Sequence, residues 1–279
     1  MEKILLAVNP ACIDMNALDF ACYIARLTRS KLTGVFLEGE PELEKMVAKR
    51  VPSAMSSNAV EKENAVCTTG SKTLCEEPLR FFKEACANRT VSCNVHRDRS
   101  VPVYEIIGES RFADLLIVSA ETSFEKHGET MPTRFVKDVL TYAECPVIVA
   151  PRDFNAIDEI VFTYDGSASS VFAIKQFTYL FPGLDDKKAT VLHVNEHNNW
   201  DTGEKKKIGE LLKPHYSIIN FRHLQGKPKD ELFGYLLGQE NLFVVMGAFG
   251  RNMVSRLLRS SNAELILKAV DLPVFITHL

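Results

Sequence analysis

The sequence predicts an α/β protein made of two tandem copies of a five-stranded, mostly parallel, doubly wound sheet. Three observations predict it. Apolar runs of strand length alternate with longer segments of helical period. The runs carry Ile, Val and Leu at consecutive positions, the pattern of strands covered by helices on both faces. The order of the runs then restarts after Pro151.

Taken in chain order, KILLAV (Lys3–Val8) reads as the first strand, and Leu18, Ala21, Cys22 and Ala25 recur at helical spacing behind it. GVFL at 34–37 is the next strand. NVH around Val95, LLIVSA at 115–120 and PVIVA at 146–150 follow. Helical segments between them are marked by Leu79, Phe82 and Cys86, and by Val136, Val139, Leu140 and Ala143. Extra polar sequence at about 40–77, including SAMSSNAVEKEN and CTTGSKT, reads as a helix-containing insertion or an extended crossover.

The second half answers the first run by run. IVFTYD at 160–165 matches ILLAVN at 4–9, and ATVLHV at 189–194 matches LTGVFL at 32–37. NLFVVMG at 241–247 matches DLLIVSA at 114–120, and LPVFI at 272–276 matches CPVIV at 145–149. Asp114 maps to Asn241 and Pro146 to Pro273, each 127 positions on, so the loop and helix between these strands have equal length in both halves. Chance apolar runs would not hold that register. The reading is an internal duplication, with domains at 1–151 and 154–279.

Composition bounds the function. The chain has 279 residues, 46% apolar and 25% charged, the balance of a globular core with a solvated surface. A formal charge of −3 gives no basic field for nucleic acid or acidic lipid, so neither is expected as a partner. No apolar run approaches the ~18 residues of a membrane span. MEKILLAVNP lacks the basic and long apolar regions of a secretory signal, and a cytoplasmic location is the expectation. The seven cysteines are odd in number and never spaced C-x-x-C, which favours free thiols. Cys12, Cys22 and Cys145 occupy positions suited to small buried hydrophobes.

The stretch GAFGRNMVSRLLRSSN at 247–262 carries the most chemistry. Phosphate oxygens need converging backbone N–H donors with no side chain in the way, and glycine permits that approach. Gly247 and Gly250 offer it. Nine residues separate Gly250 from Ser260-Ser261, where a helix start would add free N–H groups, a partial positive charge and a hydroxyl. Arg251, Arg256 and Arg259 lie between and could neutralise a polyphosphate. A plainer reading fits the same residues: a turn after a buried strand, then S-x-x-E (Ser261 to Glu264) as a capping box.

Asp165-Gly166-Ser167 after the first strand of the second half, Leu192-His193-Val194 at the second, Met246-Gly247 to Gly250 at the fourth, and a closing Pro-Val strand together resemble the universal stress protein family in tandem. The resemblance covers almost the whole chain. It implies a Rossmann-like sheet whose ligand lies outside the carboxyl ends of the strands, where strand order reverses. It also implies ATP or a related adenine nucleotide as cofactor, with Mg²⁺ bridging the phosphates. In the family's ATP binders, an Asp at the Asp165 position sits against adenine and ribose, and backbone groups at the Val194 position meet the adenine edge. Asp165 fits an Asx turn equally well, and Val194 fits plain core. This sequence departs from the family pattern at Ser260, where the binders carry a third glycine.

The first half departs at every point. Asn9-Pro10 stands for Asp165-Gly166, Ala120 and Ser123 for Gly247 and Gly250, and Thr133-Arg134 for Ser260-Ser261. It is expected to bind no nucleotide, or only weakly, and to act as a structural partner. Elsewhere there is no Walker A loop, no G-x-G-x-x-G after either first strand and no G-x-S-x-G elbow. With no evident general base or nucleophile, hydrolysis is expected to be slow and incidental. The His193/His197 pair reads as structural, Ser167, Ser169 and Ser170 as a helix-capping turn, and EKKKIGELLKPH from Glu204 as an exposed helix. In the family the last strands pair domain with domain, which implies an intrachain pseudo-dimer, with homodimers through another surface. The expectation is a stress-related regulatory protein with unidentified protein partners; a nucleotide-free interaction scaffold of the same family is the alternative.

Overall fold

A computed structural model describes residues 1–38, 76–125, 129–196, 199–247 and 271–277. The first half runs β1 (Lys3–Val8), α1 (Met15–Thr28), β2 (Lys31–Leu37), α2 (Glu76–Asn88), β3 (Cys93–Asp98), α3 (Pro102–Ser110), β4 (Leu115–Ser119), α4 (Arg134–Tyr142) and β5 (Val147–Ala150). The second runs β6 (Glu159–Tyr164), α5 (Ala168–Leu180), β7 (Lys188–Asn195), α6 (Thr202–Leu212), β8 (Ile218–Gln225), α7 (Pro228–Leu236), β9 (Leu242–Gly247) and β10 (Val274–Thr277). Most of the segment at 40–77 lies outside the described residues; only its last two positions fall within α2.

Local chemistry sets the helix starts. Asp14 accepts the Asn16 and Ala17 N–H groups at the start of α1. Thr133 does the same for Val136 at α4, and Ser167 for Ser170 at α5. Proline opens α3 and α7, where its missing N–H costs nothing. Helix α1 ends as Arg29 turns to a left-handed φ of 53°.

The strands form one sheet in the order β3-β2-β1-β4-β5-β10-β9-β6-β7-β8. Read outward from its middle, each half has the same order, and all neighbours within a half run parallel. The halves meet at β5 and β10, which pair antiparallel with Phe275 opposite Ile148. This is an internal pseudo-dimer: each half covers the other's last strand and leaves neither exposed as an aggregation-prone edge.

Alternate strand residues point to opposite faces. Ile4, Leu6 and Val8 join one core with α1, α2, α5 and α6; Leu5 and Ala7 join another with α3, α4 and α7. The first core crosses the junction. Phe20 of α1 meets Phe243 of β9 at 6.4 Å between ring centroids, and Phe154 of the connecting segment at 5.0 Å. Phe177 of α5 packs edge-on against Phe162, Phe243 and Phe275, from three strands of the second half.

One reading needs amendment. Cys12 is exposed rather than buried, because it sits in the turn ahead of α1 and not in the helix; Cys22 and Cys145 are buried as expected. Cys12, Cys22, Cys86, Cys93 and Cys145 are free thiols. No helix among the described residues is long and apolar enough to cross a membrane.

Candidate nucleotide site at the carboxyl edge

In the second half the chain passes from β6 outward to β7 and β8, then returns to place β9 on the other side of β6. The strand order therefore reverses between β6 and β9, and ligands of open α/β sheets bind outside the carboxyl ends of strands at such a point. Asp165 directly follows β6, Val194 is the penultimate residue of β7, and Gly247 ends β9. These three strands are neighbours, so the fold brings the three residues to one edge. Gly250, Ser260 and Ser261 lie outside the described residues, as do Arg251, Arg256, Arg259 and His197.

Asp165 is exposed. Its Oδ1 accepts the Ser167 N–H at 3.0 Å, an Asx turn that leads into α5. Gly166, in the middle of the turn, takes a positive φ of 84°. Ser167 then caps α5 by accepting the Ser170 N–H at 3.1 Å. The positive end of α5 thus faces the same edge as the Asp165 carboxylate.

Gly247 has a packing reason to be glycine. A Cβ there would lie 2.5 Å from the carbonyl carbon and oxygen of Ser169 and 2.7 Å from the Ser170 nitrogen. The first turn of α5 presses directly onto the end of β9. Val194 is partly buried, pairs with Leu224 of β8 and packs on the second core.

The structure adds an aromatic cluster at this edge that sequence reasoning missed. Trp200, in the connection ahead of α6, is buried against Tyr164 and His193, with centroids 6.0 and 4.9 Å away. Lys205 lies over the same indole at 4.8 Å. His193 Nδ1 donates to the Tyr164 carbonyl oxygen at 2.9 Å, which leaves Nε2 to accept from Asn195 Nδ2 at 2.8 Å. Asn195 Oδ1 in turn accepts from His223 Nε2 at 3.1 Å. Burial, reinforced by the Glu204 carboxylate, pushes the Tyr164 phenol up to about 12. Desolvation and the nearby His193 and Lys205 lower the His223 imidazole. His193 is a satisfied structural histidine, as its place in a strand suggested. The lone tryptophan carried no spacing signal of its own.

The first half shows how its own carboxyl edge is bridged. Asn9 Oδ1 accepts the Ala11 N–H at 2.9 Å, the same turn that Asp165 makes. Its amide nitrogen also donates to the Ser123 carbonyl oxygen at 2.7 Å. Ser123 stands where Gly250 stands in the repeat. One asparagine therefore ties the end of β1 to the loop after β4 across the switch point. Thr133 donates to the Thr122 carbonyl oxygen while it caps α4, which fastens the start of the loop after β4 to that helix.

No protein-family model matches the sequence, and no curated protein sequence matches it. Solved structures do. A universal stress protein from Archaeoglobus fulgidus DSM 4304 superposes with a TM-score of 0.67 at 13% identity, covering 99% of this chain and 98% of that one. A protein assigned to the universal stress proteins from Pseudomonas aeruginosa UCBPP-PA14 gives 0.57 at 12% identity, over 100% and 93%. A functionally unknown protein from Pseudomonas aeruginosa PAO1 gives 0.56 at 13% identity, over 100% and 92%. With strand order, pseudo-symmetric pairing and full-length superposition in agreement, this chain has the fold of the universal stress proteins in its two-domain, tandem form.

Proposed function

We propose that the chain is a tandem universal stress protein of the cytoplasm whose second domain, 154–279, binds ATP or a related adenine nucleotide and serves a regulatory role, while the first, 1–151, is its structural partner. The observation that carries this reading is the contrast between Asn9 and Asp165. Asn9 closes its switch point by donating to the Ser123 carbonyl oxygen. A carboxylate has no donor and cannot form that bond. Asp165 leaves an acceptor at the open edge, suited to a ribose hydroxyl or an exocyclic amine. Gly247 to Gly250 and the helix start at Ser260-Ser261 would receive the phosphates, with Mg²⁺ bridging them.

A titration with Mg·ATP tests this reading. The wild type is expected to bind, and Asp165→Ala and Gly250→Val each to weaken binding by about tenfold or more, the loss of a hydrogen bond to a charged group or of close backbone approach. Equal binding by all three would place the nucleotide elsewhere. A specific observation favours the scaffold alternative: Asp165 is already engaged by Ser167, and the space beside Gly247 is taken by the backbone of α5. Failure of the wild type to bind at millimolar Mg·ATP would favour that alternative.

A further inference from the structure

A second constellation lies in the first half, away from the nucleotide edge. His96 of β3 and Glu105 and Glu109 of α3 place one imidazole nitrogen and two carboxylate oxygens all within 4.8 Å of one another. It is the one such group of three among the described residues. All three side chains are half-buried. Glu105 and Glu109 are one helical turn apart, so their carboxylates share a face and repel each other. Each carboxylate has a partner that offsets the repulsion. His96 Nε2 lies 2.9 Å from Glu105 Oε1, and Lys3 Nζ lies 3.0 Å from Glu109 Oε2. Ser100 Oγ reaches the other Glu105 oxygen at 3.3 Å.

We propose that His96, Glu105 and Glu109 form a binding site for a divalent ion of the zinc class. The donor set is the argument for the class: an imidazole nitrogen with two carboxylates suits zinc and its neighbours, whereas Ca²⁺ and Mg²⁺ prefer oxygen alone. Bonds of about 2.0–2.2 Å in a tetrahedron hold donors roughly 3.3–3.6 Å apart. The His96–Glu105 spacing of 2.9 Å is a little shorter than that, and Glu109, with its donor within 4.8 Å of both, has to draw closer. The ion replaces the proton between His96 and Glu105 and displaces the Lys3 ammonium from Glu109. Water completes the fourth position. The bound ion clamps β3, the outermost strand of the first half, to α3.

Isothermal titration of the full-length protein with ZnCl₂ alone tests the site, with far-UV circular dichroism to confirm that each variant is folded. One ion per chain is expected. His96→Gln and Glu109→Gln should each weaken binding by at least about tenfold. Lys3→Met should tighten it, because the competing ammonium is gone; an adventitious ion on surface histidines would not respond to that change. Absence of saturable binding, equal affinity in His96→Gln, or an unchanged or weakened affinity in Lys3→Met would overturn the proposal.

Discussion

Single residues distinguish the two halves more than their shared fold does. Ala120 occupies in the first half the place that Gly247 occupies in the second, and a methyl group is accommodated there. Helix α1 begins at Met15, well after Asn9, whereas α5 begins at Ala168, directly after the Asp165-Gly166-Ser167 turn. The shorter connection pulls the first turn of α5 onto β9 and forbids a side chain at Gly247. Gly247→Ala is therefore expected to destabilise the protein by about 1–3 kcal/mol through overpacking against backbone that cannot rotate away. Urea unfolding of the variant checks this. The sequence showed that Gly247 was distinctive but not this cause, because the contact joins a strand end to a helix start through tertiary packing.

At the scale of elements, legibility followed burial. Runs such as LLIVS in β4 and VIVA in β5 are buried throughout and stood out as strands. Strand β8, IINFRHLQ, went unread: it is the outermost strand of its half, largely exposed, and polar residues interrupt its apolar ones. The short helices α3 and α7 lacked a long periodic face and were equally hard to place. The place of Asp165, Val194 and Gly247 at one sheet edge was legible because motif and strand end coincide, whereas Trp200 and Tyr164 come together only through folding. Elements are also tied by charge. Asp114, just ahead of β4, accepts the N–H groups of Glu2 at 2.7 Å and Lys3 at 2.9 Å, fastening the start of β1. Burial works to raise the Asp114 carboxyl, but those two N–H groups and the N-terminal ammonium outweigh it and leave it below its ordinary value. Its contribution is thus complete above the unfolded value of about 3.9 and is lost as pH falls through the lower folded value. Asp114→Asn should lower the urea midpoint at pH 7, and the gap from wild type should close in acid. A gap independent of pH would contradict this assignment.

At the scale of the whole molecule, duplication solves a problem of edges. A single half would expose its last strand, and the antiparallel β5–β10 pair removes both exposures at once. Because one core runs through Phe20, Phe154 and Phe243 across the junction, the two halves are expected to unfold together. Trp200 is the single tryptophan and reports the second half alone, whereas far-UV circular dichroism reports both. Coincident urea transitions by the two probes are the expected outcome; separated transitions would show independent halves. Fusion of two copies also frees one to diverge. Asn9 and Ser123 bridge the first switch point with a hydrogen bond that Asp165 cannot make in the second.

That asymmetry is the central claim, and the stoichiometry of Mg·ATP binding to the full-length chain tests it most directly. One molecule bound per chain, retained in Asn9→Ala and weakened about tenfold or more in Asp165→Ala, is the predicted result. Two equivalent molecules per chain, or a single one that Asn9→Ala removes and Asp165→Ala leaves in place, would contradict it.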